Sequence, residues 1–357
     1  MSNNNIEIDN YDLEKNILYI RGIDLILLTK NNDYLQNAWF ALTGNLLDKN
    51  QLYSIIQQVY QEIQTDKSLE RIKHIHQAIS GLSYIDVTRR FMIFLSEIDS
   101  FVYKDQKICT LTDSQCLKII LLLPWLISIA CSYTKYIDFA IIEKFVSYEE
   151  FFWSYMAEQN KNIDMNMISH FMSLLMGGFG VVTPTTAALR FISSTKNSIS
   201  YALMGSLCAA GPSHMGACKE AALRLLKVKT DIIKGNIENA LINYCNVKPY
   251  PGFGHPIMPY DTRVEFFFSY HNKLLAYYND FVELLKSRTK LNPNVDFLIA
   301  VMVNKYCIDP QKAILAFFCC RAPILLAHYR SKFNEHAFGI SSKEIKEKYK
   351  KVPKTWI

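Results

Sequence analysis

The sequence predicts an all-α protein. Three observations carry that expectation. Apolar residues recur at helical spacing along most of the chain, as in Leu52, Ile55, Ile56, Val59, Tyr60 and Ile63. Gly, Pro and short polar residues punctuate these runs where helices start and stop. The sequence shows no convincing strand ladder and no internal repeat. With 357 residues the chain is long enough for two domains or one large one around a sizeable core.

Taken in order, residues 15–30 alternate loosely and read as a short strand or extended segment leading into a helix. Residues 33–42 form a helix that stops at Thr43-Gly44-Asn45. Helices follow over 50–64, 68–78 and 84–95. Residues 112–133 form a buried helix, bent at Pro124. Its apolar stretch, 119–130, is twelve residues long. A bilayer span needs about 20, so the stretch reads as a core helix. Residues 147–159 and 165–176 are helical, and Gly177-Gly178-Phe179-Gly180 breaks the pattern. Thr183 is the expected cap of the next helix, with Pro184 in its first position. A helix over 200–210 leads into the turn Gly211-Pro212-Ser213-His214-Met215-Gly216-Ala217-Cys218. Beyond it, 219–227 and 229–245 are helical, while Pro and Gly exclude regular structure over 250–260. Residues 262–281 and onward, 293–304 and 309–329 complete the helices; Asp309 is the expected cap of the last, with Pro310 behind it.

Composition narrows the class. Half of the residues are hydrophobic and 20% are charged, as in a soluble globular protein. The net charge of +6 is mild and spread out; only the tail 343–354 is lysine-rich, and it reads as a solvated terminal helix. There is no basic face with interleaved aromatics, so no nucleic-acid partner is expected. A modest positive balance suits an anionic small-molecule substrate. The nine cysteines are odd in number and none is paired at C-x-x-C spacing. That argues against a zinc site and against a disulfide framework. Residues 1–10 lack the pattern of a signal peptide, which leaves the cytoplasm as the default location and no membrane partner. Gly177 to Gly180 do not match G-x-G-x-x-G and follow a helix rather than a strand.

Four polar stations mark the C-terminal half. His214 sits on the small-residue turn, where an imidazole can present a ring nitrogen to a substrate. A lone histidine there also reads as a packed or solvated residue. Pro251-Gly252-Phe253-Gly254-His255 is followed by Asp261-Thr262-Arg263. Asn292-Pro293-Asn294-Val295-Asp296 opens a helix. His255 is equally readable as a surface loop histidine, and Asp296 as a first-turn carboxylate favoured by the helix dipole. Arg321 is flanked by Phe317, Phe318, Ile324 and Leu325, and must meet an anion or snorkel outward. Two histidines, one carboxylate and two arginines are the parts needed to remove a proton beside a carbonyl and to hold a carboxylate-bearing substrate in guanidinium forks.

On these motifs the chain resembles the citrate synthase family, of the citrate or 2-methylcitrate synthase type. Gly211-Pro212-Ser213-His214, Pro251-Gly252-Phe253-Gly254-His255 and Pro293-Asn294-Val295-Asp296 match its three active-site signatures in order. Thr185-Thr186-Ala187-Ala188-Leu189-Arg190 is similar to its Ser-Thr-x-Ala-x-Arg helix, and residues 118–133 to its lysine-to-proline helix. The resemblance implies a homodimer with a large helical domain, 1–217 and 319–357, and a smaller mobile helical domain, 218–318. It implies acyl-CoA as a substrate, acetyl-CoA foremost, with no permanently bound cofactor and no metal. His214 would hold the thioester oxygen, Asp296 would take the α-proton, and His255 would polarise the carbonyl of a 2-keto acid. Arg263 and Arg321 would hold that acid's carboxylates, and Pro251, Gly252, Phe253 and Gly254 would lie against CoA. The activity so implied is acyl transfer in which acyl becomes alkyl. A citryl-CoA-type lyase and a non-catalytic CoA-binding relative are the alternatives.

The family's His-x-x-His-x-x-Asn ahead of the Ser-Thr helix has no counterpart here. Gly177, Gly180 and Thr183 stand at those places, and His170 does not fit the spacing. Asp261-Thr262-Arg263 lies one residue nearer His255 than usual, and only Lys332 and Lys343 offer a cation in place of the arginine the family donates across its dimer. These departures fall on the second-substrate side, so the expected partner is a keto acid other than oxaloacetate, or oxaloacetate bound differently.

Overall fold

Helix α1 (Leu25–Asn31) begins where a small hairpin sheet ends. The structure, a computed structural model, describes residues 7–104, 106–139, 147–157, 164–335 and 347. Strands β1 (Asp9–Asp12), β2 (Ile17–Ile20) and β3 (Ile23–Asp24) pair antiparallel in that order, with Asp9 opposite Ile20. The sheet is a correction to the sequence reading, which expected at most one extended segment. Four polar-rich residues, Asp-Asn-Tyr-Asp, carry no strand signal of their own. They pair because Leu18 and Ile20 are buried against the helices.

The remaining described architecture is helical, as the apolar spacing predicts. Asp33 and Gln36 form a capping box at α2 (Tyr34–Thr43), which Gly44 ends in the left-handed region. Asp48 and Gln51 do the same for α3 (Lys49–Gln64). Then come α4 (Ser68–Ile79), α5 (Val87–Leu95) and a short α6 (Ile98–Val102). Helix α7 (Asp113–Cys131) opens on a Thr112–Gln115 capping box. It is longer than its apolar stretch suggested. By length and composition it and residues 310–333 are each enough to cross a bilayer, yet 83% and 94% of their apolar windows are buried inside the protein, so both serve as core helices.

Helices α8 (Tyr148–Met156), α9 (Met165–Met176), α10 (Pro184–Ser194) and α11 (Ile199–Cys208) follow. Thr183 precedes α10 as expected, but its side chain caps nothing; its Oγ1 accepts from the Phe179 amide and ties down the loop before it. Helix α12 (Gly216–Ile233) runs through Lys227 and Val228, where the sequence suggested a break, and stops at Gly235; α13 (Ile237–Tyr244) follows. The long aromatic helix expected after 262 is divided at His271 into α14 (Thr262–Tyr270) and α15 (Asn272–Thr289). Helix α16 (Val295–Lys305) precedes a 3-10 turn at Pro310–Lys312, which Asp309 caps, and α17 (Ala313–Phe333) closes the described fold. Of the lysine-rich tail 343–354, only Glu347 lies among the described residues.

Helix α17 is the axis of the packing. It lies against α2, α7, α9 and α10, while α12 packs on α16 and α13. Both α7 and α17 carry a buried proline, which removes one hydrogen-bond donor from each helix. Two tyrosines answer the orphaned carbonyls. Tyr148 Oη donates to Ile120 O at 2.9 Å, four residues before Pro124. Tyr34 Oη donates to Cys320 O at 3.1 Å and, at 3.5 Å, to Cys319 O, four before Pro323. Their rings stack at 5.7 Å. Arg321 sits within this repaired stretch. Cys116, Cys218, Cys319 and Cys320 are buried as the sequence suggested, whereas Cys109, Cys208 and Cys307 are exposed.

Candidate active site

The Gly-rich loop after Tyr250 and the start of α16 are zipped together. The Gly254 amide donates to Asn292 O at 2.8 Å, and the Asn294 amide donates to Gly252 O at 2.9 Å. Asn294 Nδ2 donates to Gly254 O at 2.6 Å, and its Oδ1 accepts from the Asp296 amide at 3.0 Å. One asparagine thus caps the helix that carries Asp296 and holds the loop against it. Gly252 has φ +82°, and a Cβ there would meet the Phe297 backbone at 3.0 Å, so a side chain would push the loop off the helix. Asp261 joins the same knot: its Oδ2 accepts from the Val295 amide at 2.9 Å.

Asp296 therefore stands in the first turn of α16, partly exposed as a residue but with its Oδ1 buried and without a hydrogen-bond partner. Burial pushes its carboxyl up to about 7; Asp261 adds to this, and Arg263 and Arg321 oppose it. A carboxylate poised there can take a proton at neutral pH.

The two imidazoles are neutral. Burial and the Arg321 charge hold His214 down at about 4. Its backbone is set by a tight turn: the His214 and Gly216 amides both donate to Gly211 O, at 2.9 and 3.0 Å. Its Nε2 lies 3.4 Å from Thr185 Oγ1 on α10. His255 is lowered by burial and by Arg263. Its Nδ1 accepts from the Ile257 and Met258 amides, at 3.1 and 2.9 Å, which leaves the ring proton on Nε2 as a donor. A cavity of about 220 Å³ opens beside His255, lined also by Gly254, Met258 and Lys290.

The five side chains singled out in the sequence share one electrostatic neighbourhood. Arg321 acts on both His214 and Asp296; Arg263 acts on both His255 and Asp296. The arginines differ from expectation in being already engaged. Arg263 is 1% exposed and grips Asp261 with Nε and Nη2, both at 2.8 Å, while its Nη1 donates to Gly177 O at 3.1 Å. Arg321, 3% exposed, donates through Nη2 to the same Gly177 carbonyl and through Nε to Leu175 O, and lies over the Phe317 ring.

The place of the missing histidines is filled. A Cβ on Gly177 would come within 2.5 Å of Leu25 Cδ2, and one on Gly180, at φ +61°, within 2.9 Å of Asp9 O. His170 pairs instead with His271, Nδ1 to Nε2, at 3.1 Å. Lys332 pairs with Glu335 at 2.8 Å, and Lys343 lies outside the described residues. Sequence reasoning named Asn294 and Asp261 within their motifs but gave neither a role. An Asn one residue ahead of a helix start is a cap signal that could have marked the first; nothing local marked Asp261 as a partner of α16.

The family model for the citrate synthase C-terminal domain matches residues 3–339 of the chain. A comparison with curated proteins finds no match. Among solved structures, the fold is similar to citrate synthase from Thermotoga maritima MSB8, with a TM-score of 0.66 and 21% identity over 92% of this chain and 91% of that one. It is similar to the citrate synthase of Thermoplasma acidophilum in its ternary complex with carboxymethyl coenzyme A and oxaloacetate, with a TM-score of 0.71 and 16% identity over 96% and 92%. The Pyrobaculum aerophilum enzyme follows, at 0.68 and 16% over 94% and 88%. At these identities the likeness speaks for the fold.

Proposed function

The chain belongs to the citrate synthase family, and from that premise we propose that it is a condensing enzyme joining an acyl-CoA, acetyl-CoA foremost, to a 2-keto acid with release of CoA. The observation that carries the reading is Asp296: a carboxylate at a helix start, one oxygen sealed and unpartnered, and pushed up to about 7. A purely structural carboxylate would be paired or solvated.

In this reading neutral His214 donates to the thioester oxygen while Asp296 takes the α-proton. Acid and base must act together because that proton is very weakly acidic. The enol's C=C pair forms the bond to the keto carbon as the keto C=O π pair moves onto its oxygen, which takes the His255 Nε2 proton; the thioester C=O re-forms and its proton returns to His214. Water then cleaves the thioester and CoA leaves as the thiol. Pro251, Gly252, Phe253 and Gly254 form the CoA-facing loop, and Arg263 and Arg321 line the keto-acid side. Residues 218–318 form a small domain that closes over a large one, 1–217 and 319–357, excluding water. Acyl-CoA enters as substrate, with no resident cofactor or metal. The chain works as a homodimer, and the exposed apolar side chains Val181, Val182, Phe191 and Tyr201, on α10, α11 and the turn before them, are the contacts we assign to it. The two longest apolar helices are buried within the fold, which speaks against their spanning a membrane; the location proposed is the cytoplasm.

The test is thiol release with a panel of acyl-CoAs against a panel of 2-keto acids, beside exchange of the acyl α-protons with deuterated water. Release with one pair, lost in Asp296→Asn, is the expected result. No release and no exchange with any pair would overturn the reading.

A further inference from the structure

The arginine pair is buried together with its own counter-charges. Arg263 and Arg321 meet head to head at the Gly177 carbonyl, which accepts from Nη1 of one and Nη2 of the other. On the far side of Arg263 lies Asp261, bidentate and 0% exposed. On the far side of Arg321 lies Asp9. Gly178 is wedged between them: a Cβ there would sit 2.9 Å from Asp9 Oδ2 and 3.5 Å from Arg321 Nη1. Asp9 is 3% exposed, donates its charge to the neighbourhood of Arg321, and is held by His328 Nε2 at 2.7 Å and by the Gly180 amide at 3.3 Å. The row therefore reads carboxylate, guanidinium, carbonyl, guanidinium, carboxylate.

Two consequences follow for an incoming anion. Within the row the charges cancel, Arg190 standing behind it against His328 at 3.3 Å; Asp296 contributes further negative charge whenever it is ionised, with His214 and His255 neutral. The donors are also spent. Arg263 has given three of its five N–H groups to Asp261 and Gly177: its Nε/Nη2 edge is taken by Asp261 as a fork, and Nη1 already donates once. Only the Nη1 edge of Arg321 makes no hydrogen bond to protein in this row. A substrate with two carboxylates would bring two charges to a site in which Arg321 Nη1 is the one guanidinium nitrogen of the pair not already donating among the described residues. Desolvating the second without a partner is strongly unfavourable.

Resting on the condensing reading above, we infer that the second substrate carries a single carboxylate: a 2-keto monocarboxylate, its acid group on Arg321, rather than a 2-keto dicarboxylate. Asp9, at the opposite end of the chain, is the residue that sets this selectivity by neutralising Arg321 from behind Gly178.

Calorimetric titration of the whole protein with pyruvate and 2-oxobutyrate, against oxaloacetate and 2-oxoglutarate, tests the inference apart from turnover. The expected result is binding of the monocarboxylates at least about ten-fold tighter, with the same order in kcat/KM for thiol release. Asp9→Asn, which keeps the size and a hydrogen-bonding oxygen toward His328, is expected to shift the ratio of dicarboxylate to monocarboxylate binding by about ten-fold toward the dicarboxylate. Equal or tighter binding of the dicarboxylates by the wild-type protein overturns the inference while leaving the condensing reading standing. An unchanged ratio in folded Asp9→Asn, as judged by circular dichroism, overturns the role of Asp9. Monocarboxylate binding in the expected order without thiol release or α-proton exchange upholds the charge selectivity and sinks the condensing reading.

Discussion

Replacing Asp296 by Asn should stabilise the fold while abolishing turnover. In the folded protein burial raises this carboxyl from its ordinary 3.8 to about 7. The folded state therefore holds the proton more tightly than the unfolded chain does. Stability is unaffected below pH ~4, declines as pH rises through the interval between the two values, and is level above about 7. Each pH unit of displacement is worth about 1.4 kcal/mol, so burying Asp296 costs the fold about 4 kcal/mol at pH 8, where it is ionised in place, and about 2 kcal/mol at pH 5, where the folded state holds it protonated. Asn keeps the shape and carries no charge, so it should remove most of that cost, less whatever attraction to Arg263 and Arg321 is lost with it. The assay is urea unfolding of both proteins at pH 5 and pH 8, with thiol release measured in parallel. The variant should gain about 2 kcal/mol more at pH 8 than at pH 5. A variant less stable than the wild type at pH 8, or equally altered at both values, would refute the claim that the base is held at a cost. The exchange of stability for a reactive group is a common feature of active sites.

The other predictions concern its surroundings. Thiol release should rise with pH through about 7 as Asp296 ionises, and a flat profile in kcat/KM between pH 5.5 and 8.5 would deny it the role of base. Asp261→Asn leaves Arg263 buried without its counter-charge and should cost about 3–5 kcal/mol in chemical unfolding. Gly252→Ala puts a Cβ against Phe297 at φ +82° and should cost about 1–2 kcal/mol from the backbone alone, with a raised KM for acyl-CoA and little change in that for the keto acid. Phe191→Asp should dissociate the proposed dimer in analytical ultracentrifugation without lowering the melting temperature of the separated chains, since Phe191 is 77% exposed.

Much of this protein is written locally. The spacing of Leu52, Ile55, Val59 and Ile63 is enough for α3, and Asp33 with Gln36 or Thr112 with Gln115 is enough to start a helix, because the 3.6-residue period and the cap both act within one or two turns. The three signature stretches disclosed the family for a similar reason: each is a short turn or helix start whose residues answer to their neighbours. Gly235, not Val228, ends α12, and four residues of β1 pair only because a partner strand lies beside them. The stop at Gly235 is itself local, a glycine in the left-handed region with Asn236 N donating to Asp231 O at 2.8 Å, whereas the pairing of β1 comes from a partner strand that no local window contains. The site shows the same division. Its five reactive side chains could be named from the sequence. That Asp296 is raised, that both histidines are neutral, and that Asp261 and Asp9 cancel the two arginines could not. Those properties depend on burial and on charges brought near from opposite ends of the chain, and Coulomb energies follow distance in space rather than separation in sequence.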